Sequence, residues 1–253
     1  LLATICDVMP LRKINKIIAQ NTIDNFKIQN NLALNHIFEQ FNLKKKLTID
    51  DLGFLIGPII NSGGRLNKSN YGVELLSTDN LEIIKDRSSK LIALNNKRKI
   101  LEQSILDEID FKKIKKENKN VIIYYKDNLN EGLIGIIASR LKDYFNKPSI
   151  VITKSNNKFK ASARSTTIYN IGNLIKLLID NKIIDNGGGH NMAAGFTMKK
   201  NNIKLLDNFI QKDFIKKISY KSNLNKYDLE ISLSAIKSKF VQDINKLGPF
   251  GNF

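Results

Sequence analysis

Between residues 119 and 218, short apolar runs alternate with segments whose apolar residues are spaced as on one face of a helix. This alternation is typical of an α/β domain, and about 100 residues is an ordinary domain size. We therefore predict the α/β fold class. The predicted elements are helices over 134–145, 171–180 and 203–216, a glycine turn at 187–189, and strands at 121–125, 149–154, 158–164 and 192–198.

A long connecting helix is predicted before this domain. Over residues 79–110 the apolar positions follow heptad-like spacing. The basic stretch Lys112–Lys119 that follows has no periodicity, which favours a domain boundary there.

The N-terminal part predicts helical cover and the end of one strand. Residues 1–11 are an apolar run that Pro10 ends, which is typical of a buried strand with Asp7 at its C-terminal edge. Leu34, Phe38 and Phe41 predict a helix over 30–42. A further helix is predicted to begin near Asp50 and to end at a turn formed by Gly57 and Pro58.

After the α/β domain, residues 227–236 alternate apolar and polar side chains, which predicts a strand, and residues 239–247 predict a short helix. The chain opens on Leu1 without a methionine and stops at Asn252 and Phe253, inside what resembles a glycine turn. We therefore expect both ends to be truncations.

Composition limits the classes of protein. A chain with 42% hydrophobic and 26% charged residues is globular rather than disordered. Its net charge of +17 favours a polyanionic partner such as nucleic acid, although a composition rich in Lys, Asn and Ile is an alternative source of that charge. Cys6 is the single cysteine, which excludes internal disulfides and cysteine-rich zinc sites. No apolar run is long enough to span a bilayer, so we expect a cytoplasmic protein without membrane contact.

Three groups of residues are candidates for binding or catalysis. Asp7 lies in an apolar run, where a carboxylate needs a cation, a hydrogen-bond cluster or a capping role; spacing alone favours a cap or a turn. The segment from Asn61 to Asn67 contains Gly63, Gly64 and Arg65, a combination able to contact a phosphate, although paired glycines mostly mark turns.

The third group combines a strand with a glycine-rich segment. Ser162 and Arg164 are two residues apart on a predicted strand and so face the same side. Three glycines, Gly187 to Gly189, precede His190, a side chain able to donate to an oxyanion. A lone histidine is more often structural, but this one follows three glycines that a core does not require.

Together these groups resemble one family. The segment GGGHNMAAG is similar to the signature of the DHH-associated C-terminal domain, and ICDVMPL, GPIINSGGRL and LGPFG narrow the resemblance to the RecJ family of the DHH phosphoesterase superfamily. The four landmarks span nearly the whole chain in the family's order.

The resemblance implies a domain plan. Residues 1–90 would be the C-terminal part of a DHH catalytic domain, and 91–118 the connecting helix. The DHH-associated substrate-binding α/β domain would occupy 119–218, and 225–253 would begin an OB-like β domain.

The resemblance also implies an activity, namely metal-dependent 5′→3′ exonuclease action on single-stranded DNA in DNA repair and recombination. Asp7 would be a catalytic metal ligand for a centre of two Mn²⁺ or Mg²⁺ ions whose other ligands lie upstream. Single-stranded DNA is the implied partner, with a single-strand-binding protein or a helicase as further candidates. The residues that the resemblance assigns to substrate phosphates are Asn61, Arg65, Ser162, Arg164, Gly188, Gly189 and His190.

Two departures from the family pattern leave alternatives open. Ile59 stands where the family usually has arginine, and Leu129 and Asn130 stand where it has Trp-His. A DHH phosphodiesterase for very short RNAs or cyclic dinucleotides and a catalytically inactive DHH-like scaffold are the competing interpretations. The charge of +17 favours a polymeric substrate, and retention of Asp7, Arg65, Arg164 and His190 argues against a scaffold.

Overall fold

A computed structural model describes residues 1–156, 158–218 and 227–251. The chain divides into two compact units, Leu1–Arg98 with Lys226–Phe253, and Lys99–Asn225. In the described ranges, no helix is both long enough and apolar enough to cross a membrane.

The first unit is helical in its described residues up to Arg98. A π-helical segment, Asp51–Ile56, lies between its third and fourth α-helices. The α-helices are α1 (Leu2–Cys6), α2 (Lys13–Asn25), α3 (Leu32–Gln40), α4 (Gly57–Arg65), α5 (Asn70–Leu76) and the first part of α6 (Leu81–Asp107).

Helix α3 confirms the helix predicted over 30–42. It begins where the side-chain oxygen of Asn31 accepts a hydrogen bond from the backbone N–H of Leu34 at 2.9 Å, which is a standard N-cap. Leu34 and Phe38 are buried in the core of this unit, whereas Phe41 is exposed. Helix α6 likewise confirms the long helix, and Ile84 and Leu91 bury its apolar side.

The strand predicted for the N-terminal run is wrong, because these residues form α1. Its backbone hydrogen bonds are local, with Ile5 N–H donating to the Leu1 carbonyl at 3.1 Å and Asp7 N–H to that of Ala3 at 2.9 Å. The described part of this unit has no strand with which an extended run could pair. A helix satisfies the backbone instead, and Asp7 becomes its exposed C-terminal cap.

The turn predicted at Gly57 and Pro58 is also wrong. The π-helical segment continues directly into α4, and Pro58 lies in the first turn of that helix, where the N–H that proline lacks has no partner to lose. Gly63 and Gly64 are consequently helical and do not form a loop.

The second unit contains a five-stranded sheet of order β1-β2-β3-β5-β4. Strands β1 and β2 are parallel, and the remaining pairs are antiparallel. The strands are β1 (Ile122–Tyr125), β2 (Ser149–Ser155), β3 (Lys158–Arg164), β4 (Asn186–Gly189) and β5 (Ala193–Met198). The helices are the end of α6, α7 (Phe111–Glu117), α8 (Ile134–Phe145), α9 (Ile171–Asp180) and α10 (Ile203–Ile218).

The sheet has apolar side chains on both faces, which confirms the α/β prediction. Ile150 and Ile152 of β2 pack with residues of α9 and α10, whereas Val151 between them packs with α8. Burial of both faces explains why Ile150, Val151 and Ile152 of β2 are consecutive apolar residues and do not alternate with polar ones.

The glycine turn predicted at 187–189 is wrong, because these residues form β4 and pair with β5. None of the chain's described glycines has a positive φ, so turn geometry is not the reason for them. A Cβ on Gly187 would come within 2.7 Å of the Phe196 Cβ, and one on Gly189 within 2.4 Å of the Ala193 carbonyl oxygen. Close packing of the strand therefore requires glycine at these two positions.

The strand predicted over 227–236 is absent from the described C-terminal residues. Leu229 and Leu233 are 65% and 88% exposed, so the apolar side chains of the alternating pattern are not buried against a neighbouring element. The predicted short helix does form, as α11 (Ser238–Lys246). Assignment of 225–253 to an OB-like domain stays a prediction, and its positions 225, 226, 252 and 253 lie outside the described residues.

Candidate nucleic-acid interface

Arg164 and Ser162 project from the same face of β3, as their spacing predicts. The Arg164 Nη1 donates to Ser162 Oγ at 3.2 Å and to the Ala163 carbonyl at 2.9 Å. Within the described residues no carboxylate forms an ion pair with Arg164. Burial lowers the pKa of its guanidinium, but this group stays protonated at neutral pH. Arg164 is therefore a half-buried cation with donors left for an anion.

The start of α8 lies against this pair. A Cβ on Gly135 would come within 3.0 Å of Arg164 Nη2 and 3.1 Å of Ser162 Oγ, so glycine allows the helix to approach. The N-cap residue Leu133 offers no side-chain acceptor to the first N–H groups. A helix start carries a partial positive charge, which adds to that of Arg164.

A bare glycine surface continues from Ser162 across the sheet. Ser162 lies opposite Gly195 of β5, which lies opposite Gly188 of β4, and residues directly opposite share a face. A Cβ on Gly188 would meet no atom within 4 Å, and one on Gly195 would meet only the Ala161 carbonyl oxygen at 3.7 Å. This face of β4 and β5 is therefore open and flat.

Lys160, Thr197 and Asn186 form the next row along the same face, beside a cavity of about 310 Å³. The Lys160 ammonium contacts the Glu131 carboxylate at 2.5 Å, and this hydrogen bond holds the pKa of Glu131 below its usual value. Sequence reasoning missed Lys160, although its position two residues before Ser162 places it on the same face. The contact of Gly135 with β3 had no signal in the sequence.

His190 lies in the loop between β4 and β5, and its side chain is exposed. The loop is anchored, because Ser165 N–H donates to the Met192 carbonyl at 2.8 Å and Ile171 N–H to the Asn191 carbonyl at 3.0 Å. Ala193, directly after this loop, lies opposite Arg164. The fold thus brings His190 to the end of the sheet that carries Arg164.

Gly188 and Gly189, the two glycines predicted to contact the substrate, have different surroundings. Gly188 faces open space, whereas Gly189 packs against the backbone of Ala193 and Ala194. Of these two glycines, only Gly188 leaves an open surface.

In the first unit, Asn61, Gly64 and Arg65 lie three or four residues apart on α4 and so share one side of this helix. Asn61 and Gly64 are exposed, and Arg65 is partly exposed. The opposite side is buried, where the Ser62 hydroxyl donates to the Leu91 carbonyl at 3.0 Å.

The apolar residues of both departures from the family pattern are buried, whereas Asn130 is partly exposed. Ile59 is fully buried in the core of the first unit. Leu129 is buried in the second, and its N–H donates to Thr153 Oγ1 at 3.0 Å. The side chains of Ile59 and Leu129 stabilise their cores and do not face solvent.

The described residues do not fit a complete metal centre. They contain no group of three or more His, Cys, Asp or Glu side chains that could hold an ion. Asp7 is exposed and forms no ion pair within the same residues. This carboxylate can serve as a metal ligand only together with ligands that the described residues lack.

A known domain family matches part of this chain. Residues 118–216 match the DHHA1 domain family, and they make up most of the second unit.

Curated relatives then narrow the assignment. The single-stranded-DNA-specific exonuclease RecJ of Bacillus subtilis is 27% identical over 99% of this chain and 32% of its own length. The enzyme of the same name from Haemophilus influenzae is 31% identical over 79% of this chain and 36% of its own length. The chain belongs to the RecJ family.

The fold agrees with this assignment. The crystal structure of Thermus thermophilus RecJ in complex with Mg²⁺ matches with a TM-score of 0.80 at 21% identity, covering 99% of this chain and 39% of that one. The same protein has also been solved with Mn²⁺. This chain spans about a third of the length of the curated relatives given above.

Proposed function

We infer that this chain supplies the substrate-binding part of a metal-dependent 5′→3′ exonuclease that hydrolyses phosphodiester bonds of single-stranded DNA. The observation that carries the proposal is the half-buried Arg164, which has no carboxylate partner in the described residues and lies between Ser162 and the start of α8. A cation in such a position favours a phosphate, which Arg164 contacts through parallel hydrogen bonds.

The neighbouring residues complete the binding site in this proposal. A nucleotide would lie on the open surface of Gly188 and Gly195, which have no side chains to block it. His190 would donate to a phosphate oxygen at the end of the sheet. The net charge of +17 supports a polymer over a dinucleotide.

Asp7, Asn61 and Arg65 of the first unit belong to the same proposal. Asn61 and Arg65 would contact phosphates from α4, and Asp7 would be one ligand of a Mn²⁺ or Mg²⁺ centre. Bound metal ions of this kind activate water and stabilise a leaving oxygen. A role in DNA repair and recombination, a cytoplasmic location, and contacts with a single-strand-binding protein or a helicase rest on the family alone.

Binding of a 5′-phosphorylated oligonucleotide to the purified chain tests the site. We expect Arg164→Ala to weaken binding by about 10-fold to 100-fold, because a charge-assisted hydrogen bond contributes roughly 1.5–3 kcal/mol. Arg164→Lys should recover only part, since an ammonium cannot form the bidentate contact.

Lys204→Ala is the matched control, because it removes one exposed positive charge from α10. An unchanged affinity in Arg164→Ala, or equal losses in both variants, would leave Arg164 with a structural role only.

A further inference from the structure

A second basic surface lies at the opposite edge of the sheet, beside β1. Here the ends of α7 and α8 and the start of β1 surround a cavity of about 400 Å³. The lining residues are Ile114, Lys115, Asn118, Lys119, Ile122, Tyr144, Phe145 and Lys147. We call it the α7–α8 cavity. The sheet order places it at one edge and the glycine surface of β4 at the other.

Aromatic rings form one wall of the α7–α8 cavity. Phe111 and Tyr144 have ring centroids 4.7 Å apart, and Tyr144 and Phe145 4.8 Å apart. Tyr144 nevertheless remains 67% exposed. Its ring is held in place by its neighbours yet offers apolar surface to a ligand.

Lys115, Lys119 and Lys147 line the cavity, and further lysines lie on α7. Exposed lysines on α7 have no carboxylate partner within the described residues; they are Lys112, Lys113, Lys115 and Lys116. Lys119 is neutralised by Asp207 at 2.6 Å. Lys147 donates to the Lys119 carbonyl at 2.8 Å, so its ammonium is fixed at the cavity edge by a neutral acceptor.

The ends of the helices indicate which part of a ligand enters. Helices α7 and α8 both end at left-handed asparagines, Asn118 with φ 45° and Asn146 with φ 50°. Helix C-termini carry partial negative charge, which disfavours a phosphate inside the cavity. An uncharged ring fits the cavity, and phosphates fit the surrounding lysines.

We propose that the α7–α8 cavity binds single-stranded nucleic acid, with one base against Tyr144 and the adjacent phosphates on Lys115 and Lys116. Unpaired bases expose the ring faces that aromatic side chains stack on, and such stacking tolerates any sequence. A duplex keeps its bases inside the stack and does not offer them. The inference uses only this surface and does not depend on the proposed function.

Helix α8 connects the two surfaces. Gly135 contacts Arg164 at its start, and Tyr144 lines the cavity at its end. At a rise of 1.5 Å per residue, these positions are about 14 Å apart along the axis. One strand of nucleic acid bound at both places would follow α8.

Fluorescence anisotropy with a labelled oligothymidylate tests the lysines. The double variant Lys115→Ala/Lys116→Ala should reduce the steepness of log K against log salt by about 1.4, since each phosphate contact on a single strand contributes roughly 0.7. The control Lys176→Ala/Lys204→Ala removes two exposed charges from α9 and α10 and should leave the slope nearly unchanged. Equal effects in both pairs would overturn the proposal, because the charge would then act diffusely.

Variants of Tyr144 test the ring. Tyr144→Leu keeps the apolar contact with Phe111 but loses the aromatic face, so the Kd should rise at least about fivefold. Tyr144→Phe keeps the ring and should bind as the wild type does, with thermal melting to show that each variant is folded. Unchanged binding in Tyr144→Leu, or polyglutamate binding as tightly as the oligonucleotide, would show that this is not a nucleic-acid site.

Arg164→Ala serves as the reference in the same titrations. If Arg164→Ala has no effect while the Tyr144 and Lys115 variants do, the proposed function fails and this inference stands. The reverse result rejects the α7–α8 cavity alone.

Discussion

Asp51 is a carboxylate that is only 8% exposed. Hydrogen bonds from neighbouring residues stabilise its ionised form. Burial alone would raise its pKa, but hydrogen bonds from the Lys45 ammonium and the Thr48 hydroxyl and N–H outweigh burial and hold the pKa of Asp51 below its usual value. The Thr48 hydroxyl donates to the carboxylate at 2.7 Å and accepts from the Asp51 N–H at 3.2 Å. The Thr48 N–H also donates to the Asp51 carboxylate at 3.0 Å, and together with the bond from the Asp51 N–H to the Thr48 hydroxyl it forms a capping box just before the π-helical segment.

We predict that Asp51→Asn lowers the free energy of unfolding by about 1–2 kcal/mol at neutral pH. Because the folded pKa lies below the unfolded value of about 3.9, the carboxylate stabilises the fold above that pH and loses this effect as the pH falls through the folded pKa. Urea denaturation at several pH values should therefore show the two proteins converging below about pH 4.

Asp50→Asn is the matched control, because Asp50 is the adjacent exposed carboxylate. Its unfolding free energy should change by less than about 0.5 kcal/mol. A constant difference between wild type and Asp51→Asn down to acid pH would contradict the role given to the carboxylate.

Helix α4 contains adjacent glycines with different surroundings. A Cβ on Gly63 would lie 2.5 Å from the Lys68 carbonyl oxygen and 3.1 Å from Leu91 Cδ2. A Cβ on Gly64 would meet no atom within 4 Å. The first glycine allows the helix to pack, and the second leaves the outer side of the helix bare next to Arg65.

We expect Gly63→Ala to destabilise the protein by about 1–3 kcal/mol, because the backbone of Lys68 must move. Gly64→Ala should instead stabilise it by about 0.5–1 kcal/mol, since alanine is the better helix former and has space. Guanidinium denaturation of the two variants measures both changes. Equal shifts would mean that the packing of α4 against Lys68 is not as tight as described.

The whole chain carries a strong net positive charge of +17. In the described residues the acidic and histidine side chains form no cluster able to hold an ion. Under the proposed function, binding of DNA and its hydrolysis would therefore have separate requirements.

We predict that the purified chain binds single-stranded DNA but does not degrade it in Mn²⁺ or Mg²⁺, because one carboxylate cannot hold a two-metal centre. Gel analysis of a labelled strand over time measures degradation. Asp7→Ala should bind DNA as tightly as the wild type, since Asp7 carries no phosphate contact. Metal-dependent degradation that Asp7→Ala leaves intact would refute the assignment of Asp7.

Local patterns were sufficient for most of the second unit. Helices α8 and α9 have the predicted bounds, and β2 and β3 lie within one residue of them, because apolar periodicity of 3.6 or 2 reports directly which side of an element is buried. The same alternation placed Ser162 and Arg164 on one face.

Tertiary contacts determined the structure of the segments for which local patterns were not sufficient. The run ending at Asp7 suits a strand or a helix, and it is a helix because the described part of its unit offers no strand for pairing. Glycine patterns were the least informative, since a glycine is typical of turns but is also retained in a helix or a strand where close packing leaves no room for a Cβ. Gly63 became helical beside Lys68, Gly187 became part of β4 beside Phe196, and Gly135 brought α8 to Arg164. Each outcome depends on a close contact in the folded chain that a Cβ would prevent, and the glycine pattern by itself does not record which atom makes that contact.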